Sequence, residues 1–219
     1  LGLSSYAVVD SAGAVSANPA SMADLTRLTF SLVEILSVTN VRSGSDAAYE
    51  SRFQLPSVMF GVPLRKGLVL GFGYRTEFAG KGDFSFEYPI ENSATAYEVY
   101  RHRCGLFNVP LTLAWRPVSW ARVAGAYHVE RGSIEDAYGV EYKKDYYWAV
   151  ESKRVRSFSG SSWSGSALLN VHPRLSLGLG WKAGVAYEGD ETYTYSRAEF
   201  DSIAAWRFKL PSSWEAGAA

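Results

Sequence analysis

Few of the residue types that do chemistry stand together in this chain. His102, His128 and His172 are far apart, and only the run His102-Arg103-Cys104 brings a histidine near the single cysteine. Metal sites need several ligands at short, repeating spacings, so the three histidines read as polar residues of a surface or lumen and no metal is expected. Cys104 has no partner for an intrachain disulfide and reads as a packing residue. Gly160-Ser161-Ser162-Trp163-Ser164-Gly165 misses the G-x-S-x-G spacing of a nucleophile elbow. Gly71-x-Gly73 and Gly178-x-Gly180 lie inside strand patterns and not at a strand-to-helix turn, so they do not mark a dinucleotide site. Glu135-Asp136 and Asp190-Glu191 fall in expected loops, where solvated carboxylates are the ordinary outcome. No catalytic residues, no cofactor and no enzymatic activity are expected.

Two aromatic clusters point elsewhere. Phe84, Phe86 and Tyr88, within Asp83 to Tyr88, and Tyr147 and Trp148, after Tyr146, fall in expected outer connections, where exposed rings would capture oily molecules. They suit an interfacial aromatic belt equally well. Lys143, Lys144, Lys153, Arg154 and Arg156 cluster near the second group and read as contacts to anionic surface lipid, with pairing to a substrate carboxylate as the second reading.

The elements that position these residues are hairpins. In Pro56 to Phe78, Val58, Phe60, Val62 and Leu64 alternate with small or polar residues, and after Arg65-Lys66-Gly67 so do Leu68, Leu70, Phe72 and Tyr74. Side chains repeating every second residue are the strand signature. The unit recurs from Val109 to Trp115 with a return at Val123 to Val129, and from Trp163 to Val171 with a return at Leu175 to Tyr187. The turns centre near 66, 118 and 173. Long connections are expected near 79 to 98, 132 to 156 and 188 to 206. Short turns at one end and long connections at the other are the outer-membrane arrangement, whereas a lipocalin-like barrel shares the alternation with its oily face inward.

Composition agrees. Basic and acidic side chains balance at 22 each, which excludes the basic excess of a nucleic-acid binder. No run of eighteen apolar residues occurs, which excludes a helical membrane protein but not a barrel, whose strands dilute the signal. Fourteen tyrosines and seven tryptophans suit aromatic girdles. The fold expected is all-β, an antiparallel transmembrane β-barrel in the bacterial outer membrane.

Residues 1 to 24 are small and weakly periodic. Asn18-Pro19-Ala20 reads as a turn or helix start, with Asn as cap and Pro at the first position. The first strand is expected over Leu25 to Arg42, with a bulge near Val33-Glu34-Ile35.

The ordered set of Val15-Ser16-Ala17-Asn18-Pro19-Ala20, Leu28-Thr29-Phe30-Ser31, Leu55-Pro56, Gly71-Phe72-Gly73-Tyr74, Thr76-Glu77-Phe78, Phe208-Lys209-Leu210-Pro211 and Ser213-Trp214-Glu215 resembles the FadL long-chain fatty acid transporters of the bacterial outer membrane and their aromatic-hydrocarbon-uptake relatives. The resemblance runs over essentially the whole chain. It implies a fourteen-stranded barrel, of which this chain carries an N-terminal hatch over 1–24 and about seven to eight strands over 25–219, truncated at the C-terminal side. Hatch residues would be Asn18, Pro19 and Ala20. A lateral gate on the third strand would use Gly71, Gly73 and Arg75. The partners implied are a fatty acid or hydrocarbon and outer-membrane lipid, with passive diffusion and lateral exit. The alternative is a barrel of the same fold serving a protein secretion system as shuttle or structural component. A half barrel leaves edge groups unpaired in hydrocarbon at several kcal/mol each, so a longer protein is expected.

Overall fold

The computed structural model describes residues 18–43, 46–90, 94–142, 150–195 and 198–218. The chain enters through a 3₁₀ turn, Pro19–Asp24. Then follow β1 (Thr29–Ser43), β2 (Asp46–Arg65), β3 (Leu68–Ile90), β4 (Ala94–Val118), β5 (Ala121–Tyr142) and β6 (Val150–His172). The last four are shorter: β7 (Leu175–Lys182), β8 (Val185–Tyr195), β9 (Ala198–Leu210) and β10 (Ser213–Ala218).

All pairings are antiparallel and form one sheet, β1-β2-β3-β4-β5-β6-β7-β10, with β8 beside the outer part of β6 and β9 beside β8. Among the described residues no ladder joins β1 to the far side, so the sheet is an open barrel wall. The three tight turns fall at 66–67, 119–120 and 173–174. Gly67 at the first has φ of +74°, a left-handed conformation that glycine adopts without steric cost.

Two adjacent cross-strand rows display the alternation. Phe30, Phe60, Phe72, Leu111, Tyr127 and Trp163 stand opposite one another in turn. Ring centroids are 5.1 Å apart for Phe30 and Phe60, 5.2 Å for Phe60 and Phe72, and 4.7 Å for Tyr127 and Trp163. One residue along, Gly61, Gly71, Thr112, Ala126, Ser164, Lys182 and Ser213 form the companion row. The first row faces outward, with Leu111 at 53% and Trp163 at 63% exposure. The second faces inward, where Thr112 is fully buried. In water such an apolar exterior would be an aggregation surface; in a bilayer it is the required one.

The inner face closes on the 3₁₀ turn, which packs against β3, β4, β5 and β6. Met22 and Ala23 join Met59, Val69 and Ala114 in a buried cluster.

The structure corrects three expectations. The stretches expected as long connections, 79–98, 132–156 and 188–206, are largely strand, so Glu135-Asp136 lies within β5 and Asp190-Glu191 within β8. Strand β1 starts at Thr29 and not at Leu25; its bulge does fall between Val33 and Ile35. The return strand expected to run unbroken from Leu175 to Tyr187 is interrupted between Lys182 and Val185. There the β6 register slips by one residue, because Ser164 pairs with Lys182 while Ser159 pairs with Glu188. Val185 and Tyr187, expected on the oily outer face, are therefore turned inward and buried.

Candidate functional site: the inner face

The inner face is built in layers, from the tight turns outward. Lowest is the seat of the 3₁₀ turn. Asn18 caps it: its Oδ1 accepts from the Ala20 backbone N–H at 3.1 Å, while its Nδ2 donates to the Ala167 carbonyl at 3.5 Å. The same Ala20 N–H also approaches the Ser166 hydroxyl at 3.0 Å. Pro19, fixed in φ, suits the first position of the turn. Asp24 closes it, taking Arg116 at 2.8 Å and Arg122 at 2.5 Å. Asn18, Pro19 and Ala20 are thus together and buried against β6.

The next layer is a polar belt. Arg75 donates to both carboxylate oxygens of Glu77, and Asn108 donates to the same group at 2.8 Å. His128 stands between Asn108 at 3.2 Å and the Ser164 hydroxyl at 2.7 Å. Glu130, 1% exposed, is held by Lys182 at 2.7 Å, by the Ser162 hydroxyl and by the Tyr187 hydroxyl. A buried carboxylate needs this number of donors, since one left without a counter-charge would neutralise instead. Between the belt and Pro19 lies a cleft of about 80 Å³ lined by Arg75, Asn108, His128, Ser164, Lys182 and Glu215 together with Met59 and Pro110.

Above the belt the lining turns oily. Leu106, Phe158, Val185 and Tyr187 are buried together, with Ile134, Trp206 and Phe208 packed against them. Phe158 meets Tyr187, Trp206 and Phe208 edge-on at 5.3 to 5.5 Å. Gly132, opposite Phe158, makes room for that ring, because a Cβ there would stand 2.4 Å from it.

This apolar lining continues up β3 through a register slip that the sequence pattern hides. Between Thr76 and Phe78 the pairing with β4 shifts by one, leaving Glu77 as the extra residue of a bulge. Below it the even-numbered residues of β3 face outward, as Phe72 does. Above it Phe78 stands opposite inward-facing Leu106, and Phe84 opposite Tyr100, with centroids 6.4 Å apart. Phe84 and Phe86 are 56% and 62% exposed on the phase that lines the mouth. They belong to a strand, not a loop. Tyr88 is placed by its backbone at the top of β3; Tyr147 and Trp148, with Lys143 and Lys144, lie outside the described residues.

The gate candidates fall where the wall changes character. Gly71 pairs with Gly61 and Gly73 with Met59, within the β2–β3 ladder. Arg75 pairs with Ser57 in its last rung. Among the described residues, β2 continues beyond that rung paired with β1 and β3 with β4, and no further β2–β3 pair follows. A Cβ on Gly73 would stand 2.3 Å from the Val58 carbonyl, so the ladder requires glycine there.

The rim is charged. Arg156 reaches Glu191 at 2.5 Å, and its hydrogen bond holds that carboxyl below the usual carboxylate range. Lys153 meets Glu135 at 3.0 Å and His102 meets Asp136 at 2.6 Å. His172 accepts from the Arg174 N–H at a turn. Among the described residues no three His, Cys, Asp or Glu side chains cluster closely enough to hold a metal ion.

Sequence reasoning missed Tyr187 and Phe158 as inner residues beside Glu130. The available signal was Gly184 opposite the Pro211 region, two residues that interrupt neighbouring strands at one level.

No family model matches the chain, and no curated protein matches it. Among solved structures, the chain is similar to the crystal structure of a Pseudomonas aeruginosa FadL homologue, with a TM-score of 0.62 and 9% sequence identity. The likeness covers 98% of this chain and 62% of that one, so the chain spans less than two thirds of that protein's length. At this identity the likeness is one of fold, and the fold is that of a FadL-like barrel wall.

Proposed function

We propose that the protein passes hydrophobic molecules, such as long-chain fatty acids or hydrocarbons, across the bacterial outer membrane without catalysis. The observation that carries this reading is the pair of apolar surfaces: an exposed exterior of Phe30, Phe72, Leu111 and Trp163, and a separate inner lining of buried Leu106, Phe158 and Tyr187 with Trp206 packed against them. A channel for hydrophilic solutes has no use for the second.

In this reading Phe84, Phe86 and Tyr88 receive the ligand at the mouth, joined by Tyr147 and Trp148. Burial on the inner aromatics then draws it in, at roughly 25 cal/mol per Å² of apolar surface. The residues up to Asp24, with Asn18, Pro19 and Ala20 at the point of attachment, act as a hatch that blocks the axial route. Exit is sideways, where β2 and β3 part beyond Ser57 and Arg75, next to Gly71 and Gly73.

Uptake of a labelled fatty acid by cells or vesicles carrying the intact protein tests it. Uptake that changes with Asn18→Ala and Pro19→Ala supports the proposal. No uptake, together with a stable protein partner, moves the chain to the secretion role.

A further inference from the structure

The polar belt is closed on itself. Arg75 is bound by Glu77 and Lys182 by Glu130, and the other groups around the cleft, Asn108, His128 and Ser164, bond one another. The remaining charged residue lining the cleft is Glu215, a third carboxylate beside Glu77 and Glu130. Met59, Pro110 and Trp181 also line it and give apolar surface for the first carbons of a hydrocarbon chain.

We propose that this cleft takes the head of an amphiphile that is uncharged and hydrogen-bonding, an alcohol or phenol, in preference to a carboxylate. The inference rests on the transport reading above and names its substrate class. An entering carboxylate meets cations that are already engaged. To pair with Lys182 it must either displace Glu130, which is 1% exposed and would be left without its counter-charge, or share that one cation with it as a second carboxylate. At Arg75 it meets Glu77 in the same way, and Glu215 lining the cleft adds a further like charge. A hydroxyl faces none of these penalties. Lys182 has three donors and gives one to Glu130, so an alcohol oxygen can accept from it while the pair stays whole.

The test compares decanol with decanoate at pH 8, below their aggregation limits, binding to the purified full-length protein in detergent. The readout is tryptophan fluorescence, since Trp181 lines the cleft. Decanol is expected to bind at least about tenfold tighter than decanoate, the penalty for uncovering a buried charge being at least of that order. Glu130→Gln releases Lys182 and should raise decanoate affinity, bringing the ratio toward one with decanol little changed. The wild-type ratio stands as a test even if that variant does not fold. Decanoate binding as tightly as decanol, or tighter, overturns the head-group inference and leaves transport intact. Binding of neither overturns both.

Discussion

The barrel wall is interrupted in two places, and the two differ in how the ladders continue. Beside β3 the wall slips by one residue at Glu77, and from the same level upward no β2–β3 pair occurs among the described residues. Between β7 and β8 it slips by one residue at Ala183-Gly184, and there the seam is closed. The Ala183 N–H still donates to the Trp163 carbonyl at 2.8 Å, and Val185 and Tyr187 pack against Gly160. Both slips are one residue long, and both convert an outward phase to an inward one. At one, the β2–β3 ladder ends beside the Arg75–Glu77 pair. At the other, Val185 and Tyr187 join the buried aromatic cluster and bridge the interruption.

The sharpest way to break that contrast is to empty the closed seam. Phe158 is 4% exposed and touches Tyr187, Trp206 and Phe208, so Phe158→Ala should cost about 4 kcal/mol in urea unfolding from lipid vesicles. Phe86→Ala, at an exposed ring, should change stability by less than about 0.5 kcal/mol. Similar costs for both would mean that the seam is not held by packing.

The open interruption is probed from its lower end. Gly73→Val places a Cβ 2.3 Å from the Val58 carbonyl and should destabilise by about 2 kcal/mol through forced separation of β2 and β3. Amide exchange should quicken for Val58 and Met59 on β2 while the β4–β5 ladder stays protected. A uniform loss of protection would place the gap's origin elsewhere. A gentler effect is expected beneath both interruptions: Asn18→Ala removes the cap and the bond to Ala167 and should cost about 1 kcal/mol. It should be read as faster proteolysis at the 3₁₀ turn with an unchanged barrel.

How much of this was legible in the sequence follows the same divide. Where one face is exposed and apolar and the other packs inward, the two faces differ and period 2 is plain, as in Val109 to Trp115. Higher up, both faces are exposed, so Asp83 to Glu87 alternates polar residues with aromatics and suits a loop as well as the strand it forms. The slips at Glu77 and Gly184 were hidden for another reason. A period-2 pattern does not register an extra residue when the positions after it remain apolar, and Phe78 and Val185 do. Hence the inward aromatics were unread, while Asn18, Pro19 and Ala20 were placed together because a cap needs particular residue types in a particular order.

The smallest expected effect sharpens the comparison at the rim. Arg156 on β6 bonds Glu191 on β8, which ties the closed seam at its outer end, with Arg154 adding a second cation at 3.5 Å. The hydrogen bond from Arg156, with the charges of both arginines, holds the Glu191 carboxyl below its ordinary value of 4.5. Because the folded value is the depressed one, this contribution is whole above 4.5 and fades as pH falls through the folded value. Acidification below about 4 should therefore loosen the outer part of the β6–β8 seam first. Amide exchange at Thr192 to Tyr195, compared between pH 6 and pH 3.5, should rise more than exchange in the upper β3–β4 ladder. Glu191→Gln should abolish the pH-dependent part of that difference. If β3–β4 loosens first, the rim pair does not fasten the seam, and its closure rests on the aromatic layer alone.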